Sequence, residues 1–387
     1  MKKLLITLGV ITAIYFLATL ILPPVVEDIR NPVKDTGPYL VSEEAQKLYD
    51  DLDFIADLHC DALLWGRDIT EKGTRGHVDF PRMREANASL QMFTIVTKTP
   101  TAQNMVHNTA DAYDNITSLM IAKGESPSNW FSLMNRALSQ SEDLKDFIDQ
   151  EEEEAFLVKS RDDLQKLIEA KKSNPAVIGA MLGIEGGHAL EGEIENLKKV
   201  YDAGVRMMGL THFFDNELGG SAHGESLEGL TEFGRQVVGE MNKLGMFIDL
   251  AHCSPAMVDD VLDMTTQPVI VSHTGVRAVL DSQRNLSDDQ IRKIASKGGI
   301  IGIAFFDQAV GVPELPNIIA SMKHVRDLVG IEHVALGSDF DGSVAVPFDI
   351  TGFPLIVEAL IEEGFSEAEI RAIMGENVKN FFLRNLK

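Results

Sequence analysis

Seven polar side chains stand at the ends of short apolar runs: His59, Asp61, Glu185, His212, His252, His273 and Asp339. Imidazole and carboxylate donors suit Zn²⁺. His59-Cys60-Asp61 is a His-x-Asp pair. Strand residues two apart share a face, so the two side chains grip one metal ion together. His252 and His273, on adjacent strands, make the same grip on a second ion. Glu185 between them can bridge both with its two oxygens. Two cations roughly 3.5–4 Å apart lower the pKa of a shared water and polarise a carbonyl. The chemistry this set could perform is metal-assisted hydrolysis. Taken singly, each histidine reads more readily as a hydrogen-bonded structural residue; the argument lies in seven such residues at matching positions.

The elements that must position them recur along the chain. Eight apolar, strand-like runs occupy residues 54–58, 90–96, 177–184, 205–211, 246–251, 269–272, 300–305 and 334–338. Amphipathic stretches separate most of them, as at 227–244, 255–264 and 288–297. Such alternation implies a parallel sheet, because parallel neighbours need crossover helices. Eight units predict a closed (β/α)₈ TIM barrel of the α/β class, and barrel active sites are built at the C-terminal ends of the strands. The long gap at 97–176 predicts a helical insertion between strands two and three, with helices over 104–122 and 130–141 and the crossover helix at 162–172. The acidic run 151–154 reads as a solvated helix end or loop. The stretch 366–386 reads as helical, opening on Ser366-Glu-Ala-Glu369.

The net charge of −24 repels phosphate backbones, so nucleic acid is excluded as a partner. It also disfavours a solute-binding protein for anions. Only two cysteines occur, Cys60 and Cys253. Each follows a candidate ligand and so points to the opposite face, which predicts two buried free thiols rather than a bridge.

Residues 4–22 form an uncharged apolar run behind Lys2-Lys3 and ahead of Pro23-Pro24. Its length is close to that of a membrane-spanning helix, and the lysines favour a cytoplasmic N-terminus. The reading is an uncleaved transmembrane anchor over 1–24, with a cleaved signal sequence as the competitor. Either way the catalytic domain is expected on the periplasmic or extracellular side. Residues 25–39 read as a linker and 40–387 as the barrel domain.

The ordered set Asp57-Leu-His-Cys-Asp61, His77-Val-Asp-Phe-Pro81, Ile184-Glu-Gly-Gly-His188, Leu210-Thr-His212, Gly245-Met-Phe-Ile-Asp-Leu-Ala-His252, Val271-Ser-His273, Arg284-Asn285 and Gly337-Ser-Asp-Phe-Asp-Gly342 resembles the membrane dipeptidase (renal dipeptidase) family of amidohydrolase-like barrels. The resemblance covers the domain from about Asp53 to Leu386. It implies two Zn²⁺ ions per subunit, with His59 and Asp61 on the first, His252 and His273 on the second, and Glu185 and a water or hydroxide bridging them. His212 would contact the substrate and steady the developing oxyanion. Arg284 would bind the dipeptide's C-terminal carboxylate. Asp339 would carry the proton from the attacking water to the leaving amine. The resemblance also suggests a homodimer. Cys60 stands where the animal enzymes carry asparagine, and the 97–176 insertion is the least similar segment.

Some residues keep a plainer alternative. Arg284 beside Asp281 and Asp288 could be a surface ion pair. Asp249 could orient a ligand or make a structural hydrogen bond. His188 reads as structural, and His77, His107, His223, His324 and His333 as surface or structural. Asp341 reads as a loop or structural residue. The expected activity is dipeptide hydrolysis. The rivals are a related amidase acting on β-lactams, N-acyl amino acids or cell-wall fragments, and a catalytically inactive binding barrel. Loss of ligands would mark the last of these, and the ligand set is complete.

Overall fold

Eight of the strands pair side by side into a closed parallel barrel. The computed structural model describes residues 2–152 and 154–387. Met1, at the head of the N-terminal run, and Glu153, in the acidic run, lie outside the described residues. The strands are β1 (Ala56–Cys60), β2 (Leu90–Val96), β3 (Ala155–Leu157), β4 (Ile178–Glu185), β5 (Val205–Gly209), β6 (Phe247–Asp249), β7 (Ile270–Thr274), β8 (Ile300–Ile303) and β9 (Val334–Leu336). Their order is β2-β1-β9-β8-β7-β6-β5-β4, and β2 pairs with β4 to close the ring. Every residue of β2 and β4 is buried, as expected of strands covered on both faces. The ninth strand was not expected. β3 pairs with the first part of β4, from Ala155↔Ile178 to Leu157↔Ala180, and β5 takes over the same edge at Leu182↔Val205.

Local chemistry sets the crossover helices. The helix Pro255–Met264 begins on Ser254, whose hydroxyl accepts from the Met257 amide, with proline in the first turn. The helix Glu232–Leu244 is capped by Thr231 and stopped by Gly245 at φ +76°. It starts later than the pattern at 227–244 predicts, because residues 216–230 fold back through the bridges Asn216↔Gly219 and Gly219↔Leu230.

In the insertion, helices span Asn115–Lys123, Pro127–Phe131 and Leu133–Gln150, and the crossover helix is Arg161–Ser173. The expected helix over 104–122 therefore loses its first half. Asn104 Oδ1 accepts from the amides of Val106 and His107, a local turn that competes with helix, and Asp114 caps the true start. The C-terminal helices open on a capping box between Ser366 and Glu369.

The N-terminal helix α1 spans Lys2–Arg30. Among the described residues it is the one helix long and apolar enough to cross a membrane, by length and composition. It does not stop at Pro23-Pro24. Proline inside a helix costs about 3 kcal/mol, and here the turn beyond it is held by tertiary contacts. Glu27 is fully buried between Arg67 and Arg75, at 2.7 and 2.6 Å. Part of the 25–39 stretch read as a linker is thus helical and docked. The chain then bridges at Val33 to Val346, in the loop beyond β9.

Candidate metal centre

The expected ligands meet at the C-terminal mouth of the barrel. His59 lies in β1 with Asp61 just beyond it; Glu185 ends β4 and His273 lies in β7. His212, His252 and Asp339 each follow a strand by three residues, after β5, β6 and β9. All seven are buried. Glu185 is the hub. Its Oε1 lies 3.0 Å from His252 Nε2, 3.5 Å from His273 Nε2 and 3.5 Å from His59 Nε2, and its Oε2 lies 3.0 Å from His212 Nε2. His59 Nε2 is also 3.5 Å from Asp61 and 3.8 Å from Asp339. The Nε2 atoms of His252 and His273 stand 2.9 Å apart. His212 is therefore as near to Glu185 as His252 is, a proximity not expected of a residue reserved for substrate.

A polar layer fixes which ring nitrogens face inward. Asp249 accepts from the Ser272 hydroxyl at 2.6 Å, and that oxygen lies 3.0 Å from Nδ1 of both His59 and His273. Nε2 of each ring is left for the site. His223 Nε2 sits 3.0 Å from His252 Nδ1 and does the same for that ring, while its own Nδ1 faces the Met105 carbonyl at 2.9 Å. Thr94 donates to Asp61 Oδ1 at 2.5 Å. The sequence left His223 as surface or structural, and its place is a missed functional contact. Only its loop, folded back over the end of β6, brings it there. Partners that orient a ligand imidazole are typically worth 10–100-fold in metal affinity. His223→Ala is expected to weaken metal binding by about that factor, read by competition with a chromogenic chelator, with the fold kept by circular dichroism.

Two backbone features hold the mouth open to these side chains. His252 and Asp339 adopt positive φ, +62° and +63°, and such strain in non-glycine residues clusters at functional sites. Gly186, at φ +102°, follows the hub residue. A Cβ there would lie 2.2 Å from the His188 ring and 3.2 Å from His212 Cβ.

The electrostatics fit bound cations. Burial pulls the His59 imidazole down, but Asp61 and Glu185 outweigh it and raise it to about 10. Burial, reinforced by Asp61, pushes Glu185 well above the usual carboxylate range. Burial lifts Asp339 to about 8. Burial also holds His212, His252 and His273 well below the ordinary imidazole value, so their rings are neutral. His59 Nε2 is buried with no hydrogen-bond partner among the described residues. Three carboxylates crowded beside three neutral imidazoles, with a proton held on His59, call for more positive charge than the side chains bring. Divalent cations supply it, and the chemistry of the donor set matches zinc.

This predicts a proton balance. The folded pKa values of His59 and Asp339 lie above their unfolded ones, so stability linked to them falls as pH rises through about 8 and about 10. The neutral histidines have largely finished titrating in both states above about pH 7.5. The metal-free protein is expected to lose stability between pH 7 and 10. Metal uptake at pH 7 is expected to release two or more protons, from His59, Asp339 and the raised Glu185 carboxyl. Calorimetry in buffers of different ionisation enthalpy reads this number, and an uptake of protons would contradict the arrangement.

Around the centre, Arg284 is buried and donates from Nη2 to the His273 carbonyl at 2.8 Å. Its Nε has no partner among the described residues, and it makes no ion pair with Asp281 or Asp288. Asp341 accepts from Arg67 at 2.5 Å and from the amides of His77 and Val78 at 2.8 and 3.1 Å, a structural role as read. His77 is buried between the Asn31 carbonyl and the Asp341 amide. His188 packs 4.9 Å from Phe214. His107 is exposed, and His324 and His333 pair with Asp288 and the Gly299 carbonyl. Cys60 and Cys253 are buried free thiols, as expected.

A family model described as membrane dipeptidase (peptidase family M19) matches residues 42–384. Dipeptidase 3 of Mus musculus is 31% identical over 235 residues, which are 54% of this chain and 45% of that protein; the match spans less than half the relative's length. The solved structure of a metallo peptidase, the dipeptidase AC, superposes with TM-score 0.71 at 24% identity, over 87% of this chain and 99% of that one. A metallo peptidase from Rhodobacter sphaeroides, solved with a phosphinate mimic of the dipeptide L-Ala-D-Ala, superposes with TM-score 0.70 at 23% identity, over 87% of this chain and all of the other. Both show the same barrel.

Proposed function

Because the chain belongs to the membrane dipeptidase family of metallopeptidases, we propose that it hydrolyses the peptide bond of dipeptides at a pair of zinc ions. The observation that supports this reading best is the convergence of four histidines on Glu185, with Asp61 and Asp339 beside one of them, His59, and a buried arginine alongside whose Nε has no partner among the described residues. His59 and Asp61 would hold one ion, His252 and His273 the other, and Glu185 would bridge. When bound, the ions would activate the attacking water at neutral pH and polarise the scissile carbonyl.

The protein's own groups do the rest. Arg284 offers a guanidinium fork that matches a carboxylate, and its unpartnered Nε is free to donate. It takes the C-terminal carboxylate of the dipeptide, which sets the distance to the scissile bond and restricts substrates to short peptides. His212, held neutral by burial, donates to the developing oxyanion. Asp339 accepts the proton of the attacking water and returns it to the leaving nitrogen. The apolar part of α1 anchors the chain in a membrane, with the barrel on the exported side.

The test pairs chelation with a substrate comparison. Dipeptide hydrolysis should vanish on chelation and return with zinc. Hydrogen bonds to charged groups are worth about 1.5–3 kcal/mol, so Arg284→Ala should raise KM for dipeptides about ten- to a hundredfold. A neutral amide, which has no carboxylate to lose, should be nearly unaffected. Equal effects on both would refute the assigned role of Arg284.

A further inference from the structure

The last two turns of α1 lie against the mouth of the barrel. A cavity of about 650 Å³ runs from Asp61 and His212 outward, and one of its walls is made by Leu22, Pro23 and Val26 of α1. Trp65, Ile116 and Leu119 face them from the barrel side. Leu22 and Val26 are one helical turn apart and share a face; they stay 48% and 39% exposed because they border this space. Pro23 and Glu27, the next pair round the helix, face the domain and are buried.

The wall is clamped in place. Buried Glu27 accepts from Arg67 Nε and Arg75 Nε, and Arg67 Nη2 passes on to Asp341 at 2.5 Å. Asn31 Oδ1 accepts from the Ser343 amide at 2.8 Å. The exit of α1 is thereby tied to the loop that carries Asp339. The family match begins at residue 42, so this wall lies outside the matched segment.

We propose that residues 22–30 of α1 form the outer wall of the subsite for the N-terminal residue of the substrate and select a bulky apolar side chain there. The inference rests on the dipeptidase reading. Arg284 follows β7, across the barrel from β1 and β2, whose loops line the cavity. A dipeptide with its carboxylate on Arg284 and its scissile bond at the metal centre directs its N-terminal residue into this cavity. The space exceeds what glycine or alanine needs, and the part of its wall where Leu22, Pro23 and Val26 meet Trp65, Ile116 and Leu119 is apolar, while Thr99, Gln103 and Asn115 give the rest a polar border.

The test uses the full-length chain in detergent micelles, loaded with zinc, on Leu-Ala and Gly-Ala. Truncating an apolar pocket is worth about tenfold or more in discrimination. The double variant Leu22→Ala/Val26→Ala should lower kcat/KM for Leu-Ala about tenfold, mainly through KM, and change Gly-Ala far less. Val26→Trp, which fills the space, should exclude Leu-Ala more than Gly-Ala. A second reading avoids turnover: a phosphinate analogue of Leu-Ala should slow maleimide labelling of a Val26→Cys variant at least threefold, and a glycine analogue should not. Equal effects on the two dipeptides, or labelling indifferent to the leucine analogue, would overturn the inference and leave the dipeptidase reading standing. A wild-type chain that binds zinc but cleaves neither dipeptide would refute that reading, and the inference with it.

Discussion

If Glu185 bridges two zinc ions as proposed, Glu185→Gln is expected to cost at least one of them and about 10²–10³-fold or more in kcat. The substitution keeps size and shape, so it isolates charge and lone pairs. Glu185 is 4% exposed and faces four imidazoles with its two oxygens. An amide brings one acceptor and one donor group to the same place, and its NH₂ would point at His252 or His212 instead of an ion. Metal analysis should fall from two ions per chain to one or none. Thermal unfolding should no longer rise with added zinc, because binding to the native state alone is the source of that rise. The metal-free proteins should rank the other way. Burial and Asp61 hold the Glu185 carboxyl above its usual range, so a neutral amide removes a buried group that resists ionising, and the metal-free variant should be no less stable than the metal-free parent. A variant that kept two zinc ions and near-normal turnover would sink the bridging role.

The barrel was readable from sequence because parallel strands covered on both faces are continuous apolar runs, and residues such as 90–96 and 178–185 leave little else to be. The site was readable for a related reason: polar residues directly after such runs must stand at one end of the barrel. What escaped was set by tertiary contacts. β3 is three residues long and exists because the first part of β4 has a free edge. The helix at 104–114 was lost to side-chain bonds made by Asn104. α1 runs through two prolines because Glu27 meets two arginines from distant sequence. Arg284 has aspartates as sequence neighbours, yet its side chain turns inward to the His273 carbonyl. His223 follows no strand, and no periodicity could have placed it against His252. Composition and spacing thus report which residues crowd the barrel mouth, while loop closure decides which of them touch.

Asp339→Asn is expected to lower kcat by about 10²–10⁴, the usual worth of a positioned general base, with KM and zinc content little changed. The choice of asparagine matters. Asp339 sits at φ +63°, a region that asparagine and aspartate enter readily and most other residues do not. Alanine would add backbone strain and confuse folding with catalysis. Asparagine keeps the conformation and removes only the capacity to take a proton. The pH profile should separate the two roles. A general base works when ionised, so activity of the parent should rise with pH through the pKa of Asp339. Burial lifts that value to about 8 without cations, and bound cations lower it, so the rise should lie below pH 8. The variant should lack that limb. Asp341→Asn should behave in the opposite way: its carboxylate accepts from Arg67 and two backbone amides, so its loss should lower the unfolding temperature more than it changes the shape of the pH profile. If Asp339→Asn kept the acid limb and most of kcat, the proton would have to travel through another group, and His212 would be the next to replace.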